Sequence, residues 1–240
     1  MVTLFLSDLH LSTARPVTVT WFEGFLAGPA LAARQVYILG DLFEYWAGDD
    51  DIADPFNARV VAALAAAAAR VPISFMRGNR DFLAGDGFAR ASGVTLLADA
   101  HTIELAGRKA LLLHGDTLCT DDTDYQRFRA ESRSVAWVKT MLGTPLAIRK
   151  RHIQTLREQS EVQKRSKSAG IMDVNAQAVA AALREAGCDL LIHGHTHRPA
   201  RHSLSVDGLN CERWVLDAWY DRGSYLACDA GTLKVQQLPS

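Results

Sequence analysis

Apolar and polar positions change rhythm along the chain. Short apolar runs, "VTLFLS" (2–7), "QVYIL" (35–39) and "PISFM" (72–76), alternate with stretches over 17–27 and 55–69 that repeat apolar side chains every three to four positions. Runs of that length read as strands and the longer periodic stretches as helices, which predicts a βαβαβ unit with a parallel sheet. "HTIEL" and "KALLL", split by Ala106-Gly107-Arg108, predict a hairpin. The rhythm then breaks, because 122–168 has few strand signals, many charges and helical spacing. A helix over 174–186 leads into "CDLLI" (188–192), and "RHSLSV", "ERWVL", "SYLAC" and "LKVQQL" predict short strands in a second sheet. The expected architecture is α/β: two packed mixed sheets flanked by helices, one domain over 1–240, with a helical lid inserted at 122–168.

Composition narrows the function classes. With 240 residues, 48% hydrophobic and 22% charged, the chain can bury a large core and is not a disordered segment. The longest apolar run, Val60 to Ala69, stops at Arg70, short of the roughly 20 residues of a membrane span. "MVTLFLSDLH" lacks a basic leader and reaches Asp8 too early for a secretory signal, so a cytoplasmic protein with at most peripheral membrane contact is expected. Cys119, Cys188, Cys211 and Cys228 show no C-x-x-C spacing and read as reduced thiols. Between Arg149 and Lys167 seven Lys/Arg face only Glu158 and Glu161, which leaves 19 basic against 25 acidic residues elsewhere. A basic patch on an acidic protein suits an anionic substrate or anionic lipid headgroups, and also suits a solvated helix.

The chemistry sits where strands end. "LSDLH" brings Asp8 and His10, "ILGDLFE" Asp41, "FMRGNRDF" Asn79, "LLLHGD" His114, and "LIHGHTHRP" crowds His193, His195 and His197 onto alternate positions. Each cluster alone is weak, since "HGHTH" reads as a metal clasp, a phosphate loop or a His-rich surface loop. Together they point to one edge, because parallel strands align their carboxyl ends and open α/β sheets bind ligands there. Carboxylates, imidazoles and one amide oxygen, without thiolate, suit Mn, Fe or Zn, and seven ligands are shared better by two ions than by one.

The ordered set D-x-H, G-D, G-N-x-[DE], H-G-D and G-H-x-H, from Asp8 to His197, resembles the calcineurin-like metallophosphoesterases. The resemblance implies that Asp8, His10, Asp41 and His197 hold one ion and Asp41, Asn79, His114 and His195 the other, with Asp41 shared. His193 matches no ligand position. Most members carry His after the Asn, whereas this chain has Arg80 in "GNRD". Arginine stays protonated and cannot hand a proton to a leaving alkoxide. A phosphate monoester leaves as a stable anion, so a pyrophosphate fits better than an alkyl phosphodiester.

Within that superfamily, "SDLHL", "GDLFEYW", "RGNRDF", "HGDTLCTDD" and "HGHTHRP", with the insertion after His114, resemble the UDP-2,3-diacylglucosamine pyrophosphohydrolase family over essentially the whole chain. That resemblance implies two Mn2+, an acylated UDP-sugar substrate and work at the cytoplasmic face of a bacterial inner membrane, with neither nucleic acid nor an obligate protein partner. It assigns catalysis to Asn79, Arg80 and His195, and substrate contacts to these and to Asp122, Ser160, Lys164 and Lys167. Arg157, Ser160, Lys164 and Lys167 are spaced to form one helical stripe. Phe128, Val135, Trp137, Val138, Met141 and Leu142, with Phe43, Trp46, Phe82 and Leu83, are candidates for an acyl groove. The rival expectation is a phosphodiesterase for nucleic acid or cyclic nucleotides on the same metal centre, which Arg80 disfavours.

Overall fold

Strand β1 (Thr3–Leu6) shows how the layers are built: Phe5 points to one side and Leu4 and Leu6 to the other, all buried. In the computed structural model, which describes residues 2–166, 171 and 173–239 and the side chains of these except 160–166, β1 lies parallel to β2 (Gln35–Leu39). β2 continues to β3 (Ile73–Met76) and a two-residue β4 (Thr95–Leu96), all parallel. The second sheet runs β5-β6-β7-β9-β8, from Ala100–Leu105, Arg108–Leu113, Leu190–His193, Leu209–Val215 and Ala200–Val206 respectively. Only β6, β7 and β9 are parallel there.

Alternating side chains sort into three buried layers. Phe5, Leu39 and Met76 meet Leu105, Leu112, Leu190 and Ile192 between the sheets. The outer face of the first sheet packs on α1 (Pro16–Ala27), α2 (Pro55–Ala68) and α3 (Asp86–Ser92) through Phe22, Phe25, Leu64 and Phe88. Leu111, Leu113 and Leu191 pack on α7 (Ala176–Ala186) through Val179 and Leu183. The result is a helix–sheet–sheet–helix sandwich. The four cysteines are buried and none of them forms a disulfide.

One expectation is corrected. The four C-terminal strands do not form one sheet. β8 and β9 complete the second, whereas β10 (Ser224–Asp229) pairs antiparallel with β1 and carries β11 (Thr232–Gln237) into the first. Without β10 the apolar β1 would be an open edge. Helix α3 and strand β4 were absent from the expected elements, being too short to show a period.

Helices α4 (Thr123–Ser132), α5 (Val135–Gly143) and α6 (Leu146–Ser166) lie between β6 and β7. Asp122 caps α4 by accepting from Tyr125 N at 3.1 Å, and Ser134 caps α5 by accepting from Trp137 N at 3.2 Å. Two cations of the 149–167 segment are used internally rather than offered to solvent. Arg149, 0% exposed, donates to the carbonyls of Leu142 (2.9 Å) and Thr144 (3.3 Å) and pairs with Asp50, while Lys150 pairs with Asp51 at 2.6 Å and Asp54 at 3.2 Å. Among the described residues no helix is long and apolar enough to cross a membrane.

Candidate metal centre

β1, β2, β3, β6 and β7 belong to two sheets, yet the loops after them meet at one rim. Asp8, His10, Asp41, His195 and His197 all adopt positive φ, between +49° and +69°. Left-handed backbone is uncommon outside glycine, though Asp and His tolerate it better than most residues. The tight turns fold these side chains back over the strand ends, and the adjoining glycines leave them room. A Cβ on Gly78 would meet the Asp41 carboxyl carbon at 2.8 Å, and one on Gly194 would meet Ser7 Cβ at 2.8 Å.

All seven residues singled out as ligands are brought together. His197 Nε2 stands 3.3 Å from both His10 Nε2 and Asp8 Oδ1, and His10 Nε2 is 3.8 Å from Asp41 Oδ2. Asn79 Oδ1 lies 3.0 Å from His114 Nε2 and 2.9 Å from His195 Nδ1, with His114 Nε2 3.7 Å from Asp41 Oδ1. Asp8, His10 and His197 form one metal-competent group, and Asp8, Asp41 and His114 another.

The donors fit divalent ions. Asp8 Oδ1 is buried without a hydrogen-bond partner, while Asp8 Oδ2 accepts from Ser7 Oγ at 2.5 Å and His195 N at 2.8 Å. His114 donates its Nδ1–H to Leu39 O at 2.8 Å, so in neutral imidazole Nε2 turns a lone pair toward the Asn79 oxygen. Facing lone pairs are reconciled by a positive centre between them, which is the His114 proton in the metal-free protein and would be a divalent ion in its place when one is bound. Bonds of roughly 2.1 Å give octahedral edges of roughly 3.0 Å, close to the shorter separations seen here.

Electrostatics point the same way. Burial opposes a charge on Asp8, but His197, His114 and His10 outweigh it and hold the carboxyl well below the usual range. Burial likewise opposes the His114 proton, yet Asp41, Asp8 and Asp116 push it up to about 9. His195 is lowered to about 4 by burial and by His114. His193 is fully buried and lowered to about 3 by burial; it donates Nδ1–H to Gly194 O at 2.8 Å and its Nε2 faces Arg213 at 3.3 Å. It is therefore a core histidine.

Several residues around the cluster were not picked out from sequence. Glu44 Oε2 lies 3.2 Å from His10 Nδ1, and Glu44 also pairs with Arg157, its carboxyl held down to about 2 despite burial by His10, Arg80 and Arg157. Asp81, fully buried, accepts from Gly78 N and Leu42 N, both at 2.7 Å, and so ties together the loops of Asn79 and Asp41. Asp116 accepts from Tyr125 Oη at 2.8 Å and Arg129 Nε at 2.7 Å, and the Tyr125 ring stacks on His195 at 5.9 Å. The acids stand inside "GDLFE", "GNRD" and "HGD"; their spacing after each ligand was the available signal.

A cleft of about 480 Å³ opens over the cluster. Arg80, Arg133 and Arg157 line it together with Trp46, Phe82, Leu83, Phe128 and Trp137, and Asp122 is on its wall. Arg80 N donates to Asp41 Oδ1 at 2.8 Å, so that loop also braces the shared carboxylate. Of the apolar candidates, Phe43 and Met141 are core, Trp46 and Leu83 are core side chains that show the cleft only an edge, Val138 packs partly buried on the core, and Val135 and Leu142 are exposed. The backbone of Ser160 and Lys164 continues α6 with side chains outside those described, and Lys167 lies outside the described residues.

A packed pair of sheets whose strand ends gather carboxylates, imidazoles and an amide oxygen under a cation-rich cleft defines a metal-dependent hydrolase. The family model described as calcineurin-like phosphoesterase matches residues 1–199, and the chain belongs to that family. It is 54% identical over 230 residues to a UDP-2,3-diacylglucosamine hydrolase of Aromatoleum aromaticum, covering 95% of this chain and 94% of that one. Proteins of the same name from Enterobacter sp. and Escherichia coli are 47% and 46% identical over the full length of both chains. A dimetal phosphatase from Danio rerio shares the fold, with a TM-score of 0.53 at 12% identity over 99% of this chain and 95% of that one.

Proposed function

We propose that this hydrolase cleaves the pyrophosphate bond of UDP-2,3-diacylglucosamine by attack of water on the α-phosphorus. The products are UMP and 2,3-diacylglucosamine 1-phosphate, a step of lipid A synthesis. The observation that carries this reading is one continuous cleft in which Arg80, Arg133 and Arg157 stand beside Trp46, Phe82, Leu83 and Trp137 above the Asp/His cluster. A diphosphate needs the first set and an acyl chain the second. At roughly 0.8 kcal/mol per buried methylene, half of a medium acyl chain contributes several kcal/mol before ordering costs. The names of the full-length relatives agree.

Asp8, His10, Asp41 and His197 would hold one Mn2+ and Asp41, Asn79, His114 and His195 the other, and bound ions supply charge neutralisation and an activated water. Asn79 and His195 orient the phosphoryl oxygens. Arg80 offsets charge on the departing phosphate and transfers no proton, which suits a leaving group that needs none. Asp122, Ser160, Lys164 and Lys167 contact the polar head of the substrate. The acyl chains require peripheral contact with the cytoplasmic face of the inner membrane, and neither nucleic acid nor an obligate protein partner is needed.

Turnover of UDP-2,3-diacylglucosamine in heavy-oxygen water with Mn2+ tests the reading. The label is expected in UMP and absent from the sugar phosphate, with a simple phosphodiester a far poorer substrate. Label in the sugar phosphate, or faster phosphodiester hydrolysis, refutes it.

A further inference from the structure

The geometry points to Tyr220 as a positioning residue that fixes the imidazoles of His10 and His197, and this rests on the reading of the cluster as a metal centre. Tyr220 lies beyond the residues matched by the family model. Its ring stacks on His10 with centroids 5.5 Å apart and planes 9° from parallel, and meets His197 edge-on at 5.2 Å and 65°. Both contacts fall within the favoured range for aromatic pairs.

The two histidines need such a surface for different reasons. His10 has Glu44 Oε2 3.2 Å from its Nδ1 without a directed hydrogen bond to it, and has its Nε2 among the ligand atoms. A charge contact off the N–H direction and a single ligand atom leave the ring free to turn, and a stacked face removes that freedom. His197 has less support. Its Nε2 faces Asp8 and His10, and no hydrogen bond among the described residues reaches its Nδ1, unlike His114, which is anchored on Leu39 O. Metal-bound histidines ordinarily gain their orientation from a partner on the far nitrogen. For His197 the ring contacts are to His10 and Tyr220.

Tyr220 is itself held in place. The Arg15 guanidinium lies 4.5 Å from its ring centroid and donates to the carbonyls of Trp219 at 2.9 Å and Tyr220 at 2.8 Å. Trp219 N donates to Asp8 O at 3.1 Å, and the indole, fully buried, donates to Ser224 O at 2.7 Å. The segment before β10 is thereby tied to the loop of the first ligand, and it presents one tyrosine face to the group of Asp8, His10 and His197.

The test is Mn2+ titration of chelator-stripped protein by calorimetry, with the spin-resonance spectrum of the bound ion recorded alongside. Two binding events are expected for the unaltered chain. Tyr220→Ala should weaken one of them by roughly tenfold or more and alter its spectrum, leaving the other unchanged, by analogy with loss of outer partners of metal ligands. Tyr220→Phe keeps the ring and should restore both affinity and spectrum. Tyr220→Leu, of similar bulk without the aromatic face, carries the test if the alanine variant fails to fold by circular dichroism. Affinities equal to the unaltered chain in Tyr220→Leu or folded Tyr220→Ala, or a loss in Tyr220→Phe as large as in these, overturn the inference alone. An unaltered chain that binds no Mn2+ overturns the metal reading with it.

Discussion

Gly78→Ala tests whether the rim works through close approach of its loops. The new Cβ would overlap Asp41 Oδ1 and the Asp41 backbone N and stand 2.8 Å from the carboxyl carbon, where ordinary contacts are 3.4–4 Å, so the carboxylate and its loop must retreat by more than roughly 1 Å. That movement strains the 2.8 Å bond from Arg80 N to Asp41 Oδ1 and the 2.7 Å bond from Gly78 N to Asp81. Overpacking costs about 1–3 kcal/mol, which a domain with about 5–15 kcal/mol of stability survives. Displacement of a reacting constellation by about 1 Å costs on the order of 10²-fold in rate. A folded protein with kcat/KM down on the order of 10²-fold and reduced Mn2+ content is therefore expected. Gly107→Ala is the control: Gly107 also has positive φ, +82°, but open space around it, so a small stability loss with unchanged kcat/KM is expected. Steady-state kinetics, metal analysis and thermal melts on both variants decide it. Gly78→Ala with unaltered rate and metal content would refute the argument.

Two further outcomes follow from the same geometry. Arg80→Ala should lower kcat by about 10²–10³ with both metals retained, and Arg80→Lys, which keeps charge without the planar fork, should fall between; a kcat near that of the unaltered chain in Arg80→Ala removes the guanidinium from the chemical step. In the metal-free protein the His114 pKa is raised to about 9 from 6.5, so its contribution to stability is full below pH 6.5 and is lost as pH rises through about 9. His195 and His193, lowered to about 4 and 3, stay neutral over that range. Melting temperatures of chelated protein should therefore fall from pH 6.5 to 9, and Mn2+ should flatten the curve; a flat curve without metal contradicts the assignment.

The seven clustered residues were legible because each follows a short apolar run, and a run ending at a sheet's carboxyl edge places the next side chains in space without knowledge of its neighbours. Strand partnership was not legible in that way. "ERWVL" and "SYLAC" carry the same alternation, yet one pairs with β7 and the other with β1. Their separation depends on which buried edge lacks a partner. The residues that set the planes and charges of the ligands escaped for a related reason. Glu44 and Asp81 gain meaning only when His10 and the Gly78 and Leu42 amides arrive beside them, and Tyr220 lies 210 positions from His10. Arg149 and Lys150 belong to a basic stretch that in sequence suits an anionic ligand or a solvated helix alike, and their internal use shows only once Asp50, Asp51 and Asp54 stand opposite them.

The backbone at the rim explains why so much supporting structure is needed. Five of the seven clustered residues sit at positive φ, and left-handed conformations of non-glycine residues cost on the order of 1–3 kcal/mol each before local compensation. Glycine would remove that cost and the ligand with it, so strain cannot be avoided by sequence choice at those positions. It has to be opposed by the hydrogen bonds that grip the same loops: His195 N on Asp8, Arg80 N on Asp41, Leu42 N and Gly78 N on Asp81, and Trp219 N on Asp8 O. Four of these five bonds end on a carboxylate, where charge makes them stronger than neutral pairs. The acids at the rim thus serve two ends at once. Their oxygens hold strained turns in place, and the ones left over, Asp8 Oδ1 above all, remain aimed at the position a cation would fill.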